Sequence, residues 1–293
     1  MENQQNKSLD RLPEFRREID KIDNQIIDLL KERMKIVAQV GEYKRSCNEH
    51  FLIKSSREAD MVKDLVIKSD DAFPKSTIVS IWRKIITSAN MLEQEIKIAL
   101  HNPAKIPDYE YLVKEYYGDF ITIYFHDSVT NIVSSLEKNE AQIGVFALPA
   151  ENEIAENNVE NWWINLANNK SNIKVFAKIP FIQNVNSHDF NRKNLVAVAI
   201  KEAESSREDK TLLVIETAKE ISKSQLQAAI RDSGFEGNIL KTSKLKQIDN
   251  INFSLIEVDG FYLQNDEKIS AFSKHKIKPY VKVIGHFPTP IKF

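Results

Sequence analysis

One stretch constrains this chain more than any other. Residues 13–47 repeat apolar side chains at helical spacing for longer than a small domain can hide. Phe15, Ile19, Ile22, Ile26, Leu29, Leu30, Ile36, Val37 and Val40 fall mostly three or four apart, which lines them along one side of a helix. Pro13 suits the first turn, where a missing N–H costs nothing, and Gly41 is the one weak helix former within the stripe. At 1.5 Å per residue such a helix runs ~50 Å. A small monomeric domain cannot cover a stripe of that length, so the helix needs a partner of similar length.

Two further helices are expected. Ser55-x-x-Glu58 fits a capping box that opens the second; it runs through Met61, Leu65 and Val66 and stops at Ser69-Asp70-Asp71. The third is expected from about Pro74 to Leu100, with Ile78, Ile81, Trp82, Ile85, Ile86, Met91 and Leu92 on its apolar side. Pro103 and Pro107 break helices and read as a linker. Beyond them, apolar runs at 120–125, 143–148, 175–179 and 195–200 read as strands around a helical 129–138, a small α/β layer. Residues 208–293 then alternate as strand 211–216, helix 223–233, strands 238–243 and 253–258, helix 266–275 and strand 280–285, the split ferredoxin-like order. Three parts are therefore expected: an all-helical 10–101, an α/β segment 104–205, and an α+β domain 208–293.

Charge narrows the function. With 41 basic against 42 acidic residues the net charge is -1, so no global field draws nucleic acid and any anion site needs a local cluster of cations. The single cysteine, Cys47, excludes an intramolecular disulfide framework and a cysteine zinc site. The histidines at 50, 101, 126, 188, 275 and 286 show no ligand spacing, and no metal or cofactor is expected. The N-terminal residues lack the apolar core of a signal peptide, and no window approaches a membrane span; a cytoplasmic location is expected.

The local cluster exists. Arg33 and Lys44 lie eleven residues apart, which returns them to within ~20° of one direction on a helix, ~16 Å apart. Two long side chains can converge on a small anion across that gap. Arg16 precedes Arg33 by seventeen residues, ~25 Å along the helix and ~100° around it, too far to share a small ligand within one subunit. In an antiparallel pair of these helices, Arg16 of the partner subunit could reach it.

These residues carry a resemblance. Phe15-Arg16-x-x-Ile19-x-x-Ile22-Asp23, Leu29-Leu30-x-x-Arg33, Val40-Gly41-x-x-Lys44, Arg57-Glu58 and Ile85-Ile86-x6-Glu93-Gln94 together resemble the all-helical class of chorismate mutase. The resemblance implies a domain-swapped homodimer through the long first helix. It also implies a [3,3] rearrangement of chorismate to prephenate with no nucleophile, metal or proton shuttle. It assigns Arg33 and the partner's Arg16 to the two carboxylates and Lys44 to the ether oxygen and a carboxylate. Arg57 supports a carboxylate, Glu58 accepts from the ring hydroxyl, and Glu93 is a second donor to the ether oxygen. A carboxylate facing a developing anion repels it, so Glu93 must carry a proton to help. Lys54 and Ala89 depart from the family's usual Asp and small polar residue.

The rest of the chain resembles the layout of the bifunctional mutase–prephenate dehydratase. Phe125-His126-Asp127-Ser128 through Ile143–Leu148 to Pro149-x-Glu151-Asn152 is similar to part of a dehydratase domain. The family's Thr-Arg-Phe triplet is replaced by Lys193-Asn194-Leu195, so no dehydratase activity is expected and the segment reads as a remnant kept for packing or assembly. Residues 209–288 resemble an ACT domain, with Ser224-Gln225-Leu226 and Lys241–Lys244 where its phenylalanine-binding signatures stand. An aromatic amino acid is the effector this layout implies. The leading reading is a monofunctional mutase; a bifunctional mutase–dehydratase and an aromatic-amino-acid-sensing regulatory protein stay open beside it.

Overall fold

The computed structural model describes residues 11–47, 51, 53–70, 73–149, 161–168, 172–183, 193–244 and 250–292. They group into two units, one of residues up to 52 together with 89–95, the other of 53–88 and 96–293.

The first unit is dominated by α1 (Leu12–Ser46), with Pro13 in its first turn and Lys44 and Arg45 in its last, where positive charge meets the negative end of the helix dipole. Its apolar stripe stays open in the isolated chain: Ile22 is 54% and Leu29 64% exposed. Gly41 is the buried residue of α1. Cys47, at the C-cap, is a free exposed thiol.

The second unit starts with α2 (Ser55–Lys68) and most of α3 (Lys75–Glu93), whose last residues belong to the first unit. The third helix stops well before Leu100. Residues 97–101 form a strand, β1 (Lys97–His101), hydrogen-bonded on both sides in parallel by neighbouring strands. Leu92, Ile96 and Leu100 keep helical spacing, so the sequence pattern permits either form; burial of Ile98, Ala99 and Leu100 on both faces favours the strand. Pro107 also acts differently from expectation. It opens a helix, α4 (Pro107–Tyr117), at a first-turn position where proline is tolerated.

The remaining elements are β2 (Thr122–His126), α5 (Val129–Glu137), β3 (Ile143–Leu148), α6 (Trp162–Asn168), β4 (Ile173–Ile179), β5 (Ile182–Gln183), β6 (Asn194–Ile200), β7 (Asp209–Ala218), α7 (Lys223–Asp232), β8 (Gly237–Ser243), β9 (Ile251–Asp259), α8 (Glu267–Ser273), β10 (Tyr280–Pro288) and β11 (Ile291–Lys292). Nine described strands form one sheet in the order β2-β1-β3-β6-β4-β10-β7-β9-β8. The first three are parallel, β6 is antiparallel to both neighbours, and β10-β7-β9-β8 is antiparallel throughout. That last quartet is the ferredoxin-like order expected for 208–293. It joins the rest where Gly285 of β10 pairs in parallel with Val175 of β4.

Two cores sandwich the sheet. Leu212, Val214, Phe253 and Leu255 face one that also holds Trp162, Trp163 and Phe146. Leu213, Ile215 and Ile256 face the other, with Phe235 and Phe272. Alternate residues of a strand point to opposite faces, which is why β7 reads as an unbroken apolar run. Trp162 stacks on Phe146 with ring centroids 5.1 Å apart and donates its indole N–H to the Ala147 carbonyl at 2.7 Å.

Helix α2 is tied to the segment leading into β7. Lys54 pairs with Glu204 at 2.9 Å, Ser56 donates to the Glu204 carbonyl at 2.9 Å, and Arg207 forks onto Asp64. Among the described residues no helix is long and apolar enough to cross a membrane.

Candidate active site

Within the first unit, Lys44 at the end of α1 meets Glu93 at the end of α3. The ammonium lies 2.7 Å from Oε2 of Glu93, and both side chains are largely buried, 15% and 7% exposed. The neighbouring Arg45 donates to the Glu93 carbonyl at 2.7 Å, satisfying one of the carbonyls a helix leaves open at its C-terminus. Gly41, one turn before Lys44, makes this approach possible. A Cβ there would lie 3.1 Å from Cγ and 3.4 Å from Cα of Glu93. The weak helix former in the stripe is therefore a contact point.

Arg33 lies upstream of Lys44 on the same helix. Its Nη1 is buried and makes no hydrogen bond with any described residue. A buried donor left bare costs ~1–3 kcal/mol, more when charged. A carboxylate taken by the guanidinium fork is the natural group to satisfy it. Arg16 is exposed near the start of α1, where the stripe is also open.

The other two predicted residues stand in the second unit. Arg57 is exposed and Glu58 is buried. The capping box is not formed. Lys54 occupies the N-cap without a side-chain cap, and Ser55 is already helical. Glu58 instead accepts from Nη1 of Arg83 at 3.1 Å, a pair buried on both sides. A full positive charge competes better for a carboxylate than a backbone N–H does. Arg83 was not singled out from the sequence; the available signal was a cation beside Val79, Trp82 and Ile86 on a helix that must bury that face. Its guanidinium lies over the Tyr116 ring, 3.9 Å from the centroid. Burial alone would lower the Arg83 pKa, but Tyr116, Glu58 and Tyr117 outweigh it and hold it above the usual value.

The dehydratase-like signature is only partly visible. Glu151, Asn152, His50 and His188 lie outside the described residues. Lys193 leads into β6, which Asn194 opens. Among the described residues no group of three or more His, Cys, Asp or Glu side chains could hold a metal ion.

Comparison with known proteins places similarities on two parts of the chain. Residues 15–94 match the family model for chorismate mutase type II. A bifunctional chorismate mutase/prephenate dehydratase from Aquifex aeolicus (strain VF5) is 29% identical over 149 residues, half of this chain and 40% of that protein. That match is longer than the mutase segment, so it extends into the sheet-bearing part. Among solved structures, a quorum-quenching acylase, GqqA, aligns at 9% identity over 67% of this chain and 95% of its own, with a TM-score of 0.47. Prephenate dehydratase from Streptococcus mutans aligns at 14% identity over 68% and 100% of the two chains, with a TM-score of 0.43. The family match spans both ends of the Lys44–Glu93 contact and the whole of the open stripe: over residues 15–94 this chain is similar to chorismate mutase type II.

Proposed function

We propose that the chain catalyses the rearrangement of chorismate to prephenate as a homodimer paired through α1, in the cytoplasm. The observation that carries the reading is Arg33, with a buried guanidinium N–H lacking an acceptor among the described residues, upstream of Lys44 on one helix. Arg33 and Arg16 of the partner subunit clamp the substrate's two carboxylates, fixing the compact conformer in which the reacting carbons meet. Lys44 donates to the ether oxygen as negative charge grows there, which favours the transition state over the ground state. Glu93, when protonated, is a second donor to the same oxygen. Arg57 supports a carboxylate. Glu58 accepts from the ring hydroxyl, and for that role it must leave or share Arg83.

The test is chorismate consumption by wild type beside Arg33→Ala. A loss of ~10²-fold or more in kcat/KM is expected if the arginine holds a carboxylate through the transition state. Equal rates would remove the reading. The relative's two activities and the length of the match favour one further assay. With Lys193 and Asn194 in place of the dehydratase triplet, prephenate should accumulate without conversion to phenylpyruvate. Phenylpyruvate formation would support the bifunctional alternative. We also propose the 208–293 portion as an ACT-like seat for an aromatic amino acid, which calorimetry with phenylalanine, tyrosine and tryptophan would check.

A further inference from the structure

A cavity of 370 Å³ opens in the second unit between one face of α3, the helix α4 and the turn at Pro180-Phe181-Ile182. Three of its hydroxyls, Ser76, Thr77 and Ser80, climb α3 toward Arg83. Opposite them Leu112 and Phe181 offer apolar walls. That size and mixture suit a small molecule.

The polar end of the cavity is a built cluster with a donor left over. Arg83 is only 6% exposed. Its Nη1 goes to Glu58 and its face to Tyr116, yet its Nε makes no hydrogen bond with any described residue. Next to it, but outside the cavity's lining, the Tyr117 hydroxyl is also buried with no hydrogen-bond partner among the described residues; its ring packs edge-on to Tyr116 with centroids 4.7 Å apart. Burial pushes the Tyr117 phenol well above its ordinary pKa, so it keeps its proton and remains a donor. Buried donors normally find acceptors, and the bare Nε of a guanidinium that lines a cavity points to an acceptor that comes from outside the chain. Glu58 alone leaves the fork of Arg83 half used. A carboxylate is the acceptor that fits a planar guanidinium edge, and the walls favour an apolar body behind it.

We infer that this cavity binds a small organic carboxylate with an apolar body, its carboxylate on the free edge of Arg83 and its body against Leu112 and Phe181. The glutamate on the cavity's rim, Glu115, disfavours ligands carrying a second negative charge at the mouth.

Calorimetric titration of the full chain with benzoate, and with benzyl alcohol as its uncharged counterpart, tests this. Benzoate should bind with one equivalent per chain, and benzyl alcohol roughly tenfold or more weaker, because a hydroxyl lacks the two charged oxygens that match a guanidinium edge. Ser80→Trp changes an exposed position and fills the cavity without touching Arg83; it should abolish binding while leaving the circular dichroism melt in place. Arg83→Lys keeps the charge opposite Glu58 but loses the fork, and should weaken binding about tenfold or more. Arg33→Ala should leave benzoate binding unchanged, which separates this cavity from the mutase site. The inference is overturned by no binding up to about 10 mM, by equal binding of the alcohol, by binding that survives Ser80→Trp, or by binding lost in Arg33→Ala.

Discussion

Single residues decide what the proposed mutase site can do. Glu93 forms an ion pair with Lys44, an arrangement in which it accepts and does not donate. The proposed rearrangement needs donors, so Glu93→Gln, whose amide carries its own N–H, should keep or raise kcat/KM. A loss of activity in Glu93→Gln would contradict this role. His286 sets a pH dependence. It donates Nε2–H to the Tyr262 carbonyl at 2.5 Å. Burial lowers its pKa below the ordinary 6.5, partly offset by that hydrogen bond. Protonation is thus harder in the folded chain than in the unfolded one. Stability is complete above the ordinary value and drains away as pH drops from there toward the folded value. Melting curves at about pH 7.5 and about pH 5.5 should separate in wild type and draw together in His286→Gln. The cations of α1 were legible in the sequence because helical geometry alone sets their spacing. Arg83 was not, since nothing in a linear pattern says which buried glutamate will claim which arginine.

At the scale of elements, α1 is the plainest case of sequence dictating form: period, proline and length all agree, and the helix spans Leu12–Ser46. Its uncovered stripe argues for a second copy. Ile26→Glu should shift sedimentation from dimer toward monomer and reduce activity with it. A sharper consequence follows if each site draws Arg33 from one subunit and Arg16 from the other. Arg16→Ala and Arg33→Ala, each nearly inactive alone, should recover about a quarter of wild-type sites when unfolded and refolded together in equal amounts, through mixed dimers with one intact site. No recovery would place both arginines in one subunit or neither in the site. The boundary between α3 and β1 was illegible for a physical reason. An apolar residue every fourth position satisfies a helix, and only the hydrogen bonds offered by β2 and β3 tip the run toward a strand. Helix α4 was hidden by Pro107, which breaks a helix from within and starts one from its first turn.

Across the whole molecule, the sequence suggested separate middle and C-terminal layers, and each set of strands was legible from its own apolar run. Their fusion into one sheet was not, because pairing between β4 and β10 brings together residues more than a hundred positions apart and leaves no local trace. The fusion depends on a narrow seam. Gly285 has a φ of +147°, and a Cβ on it would fall 2.3 Å from the backbone nitrogen and oxygen of Val175. Any side chain would act as a wedge driven between planks. Amide protons on either side, in β6 and in β9, should therefore exchange with deuterium as one cooperative block in the wild type. In Gly285→Ala the two sets should part into a slower and a faster class, each melting on its own schedule.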